Sequence, residues 1–589
     1  MNLALQLLKG HVKGVRGKRS SHECTAPVDL EDGSSNSELH PWTRIPHILE
    51  AICAYLNDIP SLARLARVCV AFNEPTLDAL YANIEDFIEF LKCLPRDLWI
   101  LKDLKKPKET SSECDPVKEK VLHFRRKMTR NDWDSFMSKS VRVKTMGPPL
   151  ANAHRTLHSS PKLVRGLRVQ YKVGESVLGA FAERPISIPF PKLRQLTGGL
   201  PTSVLSAVLS PSLRHLDITY SNLEDLDGDS AALAALCPSL ESLHLVMPFP
   251  AIRSDLLSQY VQRLEHLHSL TGWLPAPQTI LEILRERSKL GALELVLFHG
   301  HHYSTPDKES HLHEVDSLAL EADSYEHVLI ALDIMFKSSP QPSSGLEPPS
   351  FPVVRSLSVR AGLNESALYS LVSPLPRLIS HSALMDLHIT HILIRSEDDH
   401  PPLHEALRQL TVFHNLTALT VEVIESCPAE DQLSGSQLSE LVSHWPLLEK
   451  LRIIRPRDST TMLPKDPTSM LDLAAILRAC PHLRNVYVDV LVHPDDVLAL
   501  SEMLDPSERF ENLRYLALQH YTARYTDVEP IAYLSASCAP FLAHIYTWGT
   551  WQKEFWKLVA AAASVDRAVK CRVDIRPCRE MTEGLNRFP

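Results

Sequence analysis

One phrase recurs along most of this chain and limits what it can fold into. Apolar residues stand at its first, fourth and sixth positions, often opened by Pro or Cys-Pro, as in SPSLRHLDI, CPSLESLHL, WPLLEKLRI and CPHLRNVYV. With the middle apolar residue as marker, the copies fall at Leu167, Leu196, Leu216, Leu243, Leu270, Leu293, Leu318, Leu357, Leu387, Leu419, Leu451, Val486, Leu516 and Ile545, spaced 20 to 39 residues apart. Recurrence at that period is the signature of a stacked repeat array. Positions four and six flank one outward residue, the period of a short strand. Between the phrases the period changes. Leu438, Leu441, Val442 and Trp445 follow i, i+3, i+4, i+7, as do Leu473, Ile476, Leu477 and Cys480, while Tyr325, Val328, Leu329, Leu332 and Phe336 repeat the pattern. Each unit therefore reads as strand then helix, and none can bury its apolar side without a neighbour. The expected fold class is α/β, a solenoid over 139–578 with parallel strands inside and helices outside. Ordinary α/β domains with parallel strands also alternate strand and helix; the fixed phrase favours the solenoid.

A different pattern occupies the N-terminal end. Ile45, Ile48, Leu49, Ile52 and Leu56 form one helical stripe, with Pro46 at a position where a first turn tolerates a missing donor and Pro60 interrupting after Asn57 and Asp58. Leu62, Leu65, Cys69 and Phe72 make a second stripe, and Pro75 opens a third segment carrying Leu77, Leu80 and Tyr81. So small a module (39–82) buries little by itself. It is preceded by a basic leader (1–38) read as disordered. The leader is free of acidic residues until Glu23, a feature of mitochondrial presequences, but its apolar run is too short for secretion.

The stretches IPHILEAICAYL, SLARLARVCVAF and LDALY resemble the F-box, whose pattern is a Leu-Pro start, an Ile-Leu-rich helix, a Leu-rich second helix, Val-Cys-x-x-Phe and a closing Leu-Trp. His47 stands where an acidic residue is frequent, Ile45 replaces Leu, and Tyr81 replaces the closing Trp. The repeats resemble leucine-rich repeats of the irregular kind attached to F-boxes, without the regular Asn or Cys after the strand. HFRRKMTRNDWDSFMSKSVRVKTM, with Asn131 placed to cap a helix holding Trp133, Phe136 and Met137 before a strand through Val141 and Val143, is similar to the entry to the repeats in the large fungal group of F-box proteins. That places linker and capping helices at 83–138, with Lys102, Lys105, Lys106 and Lys108 in a solvated stretch. It leaves a C-terminal tail at 579–589 and an exposed loop at 338–352.

The resemblance implies a substrate-recruiting subunit of a Skp/cullin/F-box ubiquitin ligase. Ile45, Pro46, Ile48, Leu49, Ile52, Leu56, Leu62, Leu65 and Phe72 would divide between module core and Skp-adaptor contact, the cullin would join through that adaptor, and the repeats would hold a target protein. A repeat scaffold outside any ligase is the alternative. On the sheet's open face the residues between paired apolar positions, Asp217, His244, Glu294, His388, Thr420, Arg452, Tyr487 and Ala517, form one row. Arg and Tyr dominate many interface energies, so Lys450, Arg452, Tyr487 and Tyr515 are the candidate target-binding residues.

Other functions find little support. The formal charge of −9 arises from 62 basic and 71 acidic residues, which names neither nucleic acid nor an anionic membrane as main partner. No run nears the roughly twenty apolar residues that span a bilayer. Phosphate loops, the Gly-x-Ser-x-Gly elbow and the His-Glu-x-x-His helix do not occur. No enzyme activity and no cofactor are expected. His299, His301, His302, His311 and His313 are grouped without nearby cysteines, and read as a polar loop. The 11 scattered cysteines suit reduced thiols, hence a cytoplasmic or nuclear setting. Carboxylate pairs such as Glu224 with Asp225, Asp227 with Asp229 and Asp398 with Asp399 read as caps and solvated loops. Asn364 and Asn415 fit the glycosylation pattern but gain no consequence without a secretory signal.

Overall fold

The computed structural model describes residues 46–56, 58–103, 118–147, 169–186, 188–197, 200, 202–219, 230–246, 261–274, 290–297, 314–322, 324–336, 353–363, 365–393, 403–423, 433–454, 468–491, 510–519, 544–547 and 574–577. Outside these lie the leader, the tail, Ile45, Lys105, Lys106, Lys108, Leu167, the 338–352 loop, the histidine group at 299–313, the carboxylate pairs and Asn364. The chain divides into two compact units, residues 1–79 and 80–589.

Within the first unit the described chain makes helices Pro46–Tyr55 and Ile59–Leu65 and most of a third, Val70–Ala82. Asp58 caps the second, its carboxylate accepting from the Ser61 amide at 2.8 Å. Pro75 does not open the third helix. It lies inside, where it forfeits one bond to the preceding turn, and Phe72 belongs to this third helix instead of the second. Leu49, Cys53, Leu62, Leu65, Phe72 and Thr76 are buried.

In the second unit, parallel strands pair in chain order from Asn83–Ile84 to Asp574–Pro577 within a 17-stranded sheet. The register aligns the sequence markers one against the next: Leu196 with Leu216, Leu243, Leu270, Leu293, Leu318, Leu357, Leu387, Leu419, Leu451, Val486, Leu516 and Ile545. Three rungs lack the phrase: Ile84 pairs with Met146, Met146 with Leu196, and Ile575 with Ile545. The ladder thus begins within 83–138, ahead of residue 139, because Ile84 and Met146 occupy marker positions in two-residue strands.

The turns entering many of the described rungs are built the same way. The carbonyl two residues before a marker accepts from two successive amides of the next rung, as Thr417 does from Glu449 and Lys450 at 2.7 and 3.0 Å and Glu449 from Arg484 and Asn485 at 2.7 and 3.1 Å. Side chains add stitches: Asn415 Nδ2 donates to the Ser382 carbonyl at 2.8 Å, and Cys480 Sγ to that of Trp445 at 3.0 Å. Behind the strands, helices Gly435–Val442 and Met470–Ala479 open on capping boxes, Ser434 with Gln437 and Ser469 with Asp472. Gly435 is required there, since a Cβ would sit 2.1 Å from the Asp472 carboxylate. Leu438, Leu441, Val442, Trp445, Leu473, Ile476, Leu477 and Cys480 are all buried, and Trp445 Nε1 reaches back to the Leu410 carbonyl at 3.2 Å.

At the N-terminal end of the ladder, Phe87, Phe90, Trp133, Phe136, Phe181 and Phe190 pack edge-on or tilted, with centroids 5.4 to 6.5 Å apart. Thr129, not Asn131, caps helix Arg130–Ser140, in a reciprocal box with Asp132, and Arg126 bridges Asp132 and Asp97. That guanidinium holds the buried Asp132 carboxyl far below its ordinary range. The strand after this helix is Thr145–Met146, because Val141 ends the helix in helical conformation. Lys102 lies on Trp99–Asp103, antiparallel to Lys118–Phe124, which pairs with Val169–Val173 in a separate three-stranded sheet.

Candidate partner-binding surfaces

Two surfaces concern the residues singled out in the sequence. On the helical module, Leu49, Leu62, Leu65 and Phe72 are interior, while Ile48, Ile52 and Leu56 are half-buried. Pro46 heads the first helix. The side chains most available to a partner are others: Tyr55 is 62%, Ile59 65%, Val68 61% and Val70 90% exposed. Periodicity could not single them out, because they lie at helix ends and in the joining turn, where the 3.6-residue pattern breaks. The sequence signal for them is large apolar residues at positions that capping and turns normally give to polar ones.

The second surface is the open face of the ladder. Its row is Asp217, His244, Thr271, Glu294, Ala319, Ser358, His388, Thr420, Arg452, Tyr487, Ala517 and Tyr546. The early end is not an open acidic surface. Asp217 and His244 are 7% and 4% exposed and face each other at 3.3 Å, because strands about 4.8 Å apart let neighbouring side chains cover one another.

Farther along, the face carries a connected polar group. Arg452, 14% exposed, gives one nitrogen to Glu422 at 2.9 Å and sets its guanidinium 5.6 Å from the centroid of the Tyr487 ring. The same Glu422 oxygen lies 3.8 Å from His388 Nε2, and Thr390 Oγ1 contacts that nitrogen at 3.1 Å. Burial lowers the His388 pKa, Glu422 opposes the shift, and Arg452 and Lys450 reinforce it. Lys450 shares a strand face with Arg452 and pairs in register with Asn485, which pairs with Tyr515. Burial chiefly, then the Arg452 charge, pushes the Lys450 ammonium down. So Lys450, Arg452, Tyr487 and Tyr515 occupy three consecutive rungs of one face. The sequence reading missed Glu422, which sits two residues beyond the row, and it gave no weight to Asn485.

Among the described residues no three His, Cys, Asp or Glu stand together as metal ligands, and no helix is long and apolar enough to cross a membrane. The Cys237 and Cys480 thiols are pushed up to about 12 by burial, which suppresses thiolate chemistry.

No protein-family model matches the sequence, and no curated protein does. Among solved structures, a chain from the crystal structure of the Rad7 and Elc1 complex in yeast is similar at 14% identity with a TM-score of 0.33, over 68% of this chain and 84% of that one.

Proposed function

We propose that the chain is a non-catalytic, substrate-recruiting subunit of a Skp/cullin/F-box ubiquitin ligase, acting in the cytoplasm or nucleus. Its F-box-like helices would bind the Skp adaptor, the cullin would join through it, and the ladder would hold the target protein. One observation carries this reading. The module already has its own core in Leu49, Cys53, Leu62, Leu65 and Phe72, yet it leaves four large apolar side chains in water within residues 55–70. Uncovered apolar side chains concentrated on so small a unit mark an interaction site. The ladder suits the second task because stacked rungs present a long, rigid row of side chains that can vary one by one.

The test is coexpression of the full chain with a Skp-type adaptor. Ile59→Asp with Val70→Asp changes only exposed positions and should abolish copurification of the adaptor while the circular dichroism spectrum stays unchanged. Leu49→Asp would lose binding through loss of the module's core, so it is the weaker probe. Undiminished capture by the Ile59/Val70 variant defeats the proposal. Adaptor without cullin in the purified complex would move the reading to a scaffold outside the ligase.

A further inference from the structure

The open face also indicates what kind of target segment it takes. Two columns of side chains run across the rungs at this point. The first reads Asp386, Ala418, Lys450, Asn485, and the second His388, Thr420, Arg452, Tyr487. Strand Ala418–Val423 therefore contributes small side chains to both columns, between longer ones on either rung. Across two strand spacings, about 10 Å, this leaves a trough. Its floor is open at Ala418, which is half-buried, and closed at Thr420, which is buried.

The two walls differ in how their charges are satisfied. Asp386 accepts from Thr417 Oγ1 at 3.1 Å, so its carboxylate has a partner on the neighbouring rung. Glu422 is engaged by Arg452 beyond Thr420. Lys450 is half-buried beside a second cation; the Asp386 and Glu422 carboxylates favour its charged form, but among the described residues neither lies within ion-pair distance of its ammonium. One neighbouring donor, Arg452 Nε, is buried without a hydrogen-bond partner among the described residues. Such a donor costs about 1–3 kcal/mol when its bond is left unmade, and a half-buried cation beside a like charge adds to that cost. Lys450 and Arg452 stand on one strand opposite Ala418 and Thr420 of the next.

We propose that this trough binds an extended acidic segment of the target, with an oxyanion seated over Ala418 against Lys450 and Arg452. An extended chain lying along the strand direction places alternate side chains about 7 Å apart, so one acidic residue fills the site while its neighbours pass over Thr420 and the turn. The target role of the face rests on the recruiting function proposed above; the anion site itself rests on the trough.

The experiment is fluorescence polarisation on the full chain with three labelled peptides: Glu-Ala repeats, Gln-Ala repeats and phosphoserine-Ala repeats. The glutamate peptide should bind at least tenfold more tightly than the glutamine one. Lys450→Met should remove at least tenfold of that affinity, and Ala418→Phe should do the same by filling the trough with every charge kept. Arg214→Gln, on a distant rung, should change nothing. Tighter binding of the phosphoserine peptide, still dependent on Lys450, assigns the oxyanion to phosphate instead of carboxylate. Equal binding of the glutamate and glutamine peptides overturns the site, as does glutamate binding that Lys450→Met leaves intact. Adaptor capture measured on the same preparations separates the two proposals, because Lys450→Met should not alter it and Ile59→Asp with Val70→Asp should not alter peptide binding.

Discussion

Two polar clusters on the open face of the ladder are built in opposite ways. Near the N-terminal rungs Asp217 and His244 are closed off from water and turned to each other. Near residue 450 the charges share partners unevenly: one carboxylate, Glu422, stands before both Arg452 and His388, while Lys450 has burial without a carboxylate at ion-pair distance among the described residues. The first arrangement is a close contact sealed from water by the neighbouring strands. The second is stable enough to form but keeps unspent polar capacity, the arrangement expected where a surface must accept something from outside.

The contrast can be broken most forcefully at its closed end. His244→Ala would strand the Asp217 carboxylate in a dry site and should lower local stability by about 2–3 kcal/mol, read as lost hydrogen-exchange protection in strands His215–Thr219 and Ser242–Val246. A loss confined to the rung would also display the nearest-neighbour behaviour of stacked repeats. At the other end, Arg452→Ala frees Glu422 and should cost less, about 1–2 kcal/mol. It should also move the His388 titration upward, since one positive neighbour is gone and Glu422 is left to favour the imidazolium; histidine NMR shifts against pH would show it. Smaller again is the intrinsic pH effect of His388. Its folded pKa lies below the ordinary 6.5, so the folded chain binds that proton less readily than the unfolded one. The stability it contributes is present above about pH 6.5 and is lost as pH falls, mildly, because the side chain is 45% exposed and solvent screens it. Least of all should come from Lys450→Met. A lysine held below its usual pKa opposes folding while charged, so thermal stability at neutral pH should stay level or rise slightly, and a clear drop would contradict the reading of Lys450 as a cation without a close partner.

The register of the ladder was legible because its cause is local. A strand with apolar residues at positions four and six has only one face to bury, so the marker of each unit must meet the marker of the next. The helix faces at 438–445 and 473–480 were readable for the same reason. The first two rungs were not, since Ile84 and Met146 sit in two-residue strands with no recurring phrase around them. The cap at Thr129 was misread because Asn131 is an equally good capping type; the carboxylate three residues after Thr129 decided the matter. On the open face, the positions of Lys450, Arg452, Tyr487 and Tyr515 follow from strand alternation alone. Glu422 and Asn485 do not, because their importance arises between strands, from what stands beside them. The module's exposed apolar residues were hidden by a related limit: periodicity finds what a helix buries, whereas Ile59, Val68 and Val70 are defined by what nothing in the module covers.

Many junctions in the described ladder share one seam, a carbonyl two residues ahead of the marker that receives two amides from the following unit. Identical seams make units interchangeable in principle. Were the stretch from Leu419 to Lys450 deleted, Leu451 would arrive opposite Leu387 with the Met385 carbonyl ready for it, and the sheet could close over the cut. A lineage could therefore shorten, lengthen or reorder this open face by whole units without redesigning the core, with the trough at Ala418 appearing or vanishing in a single genetic event.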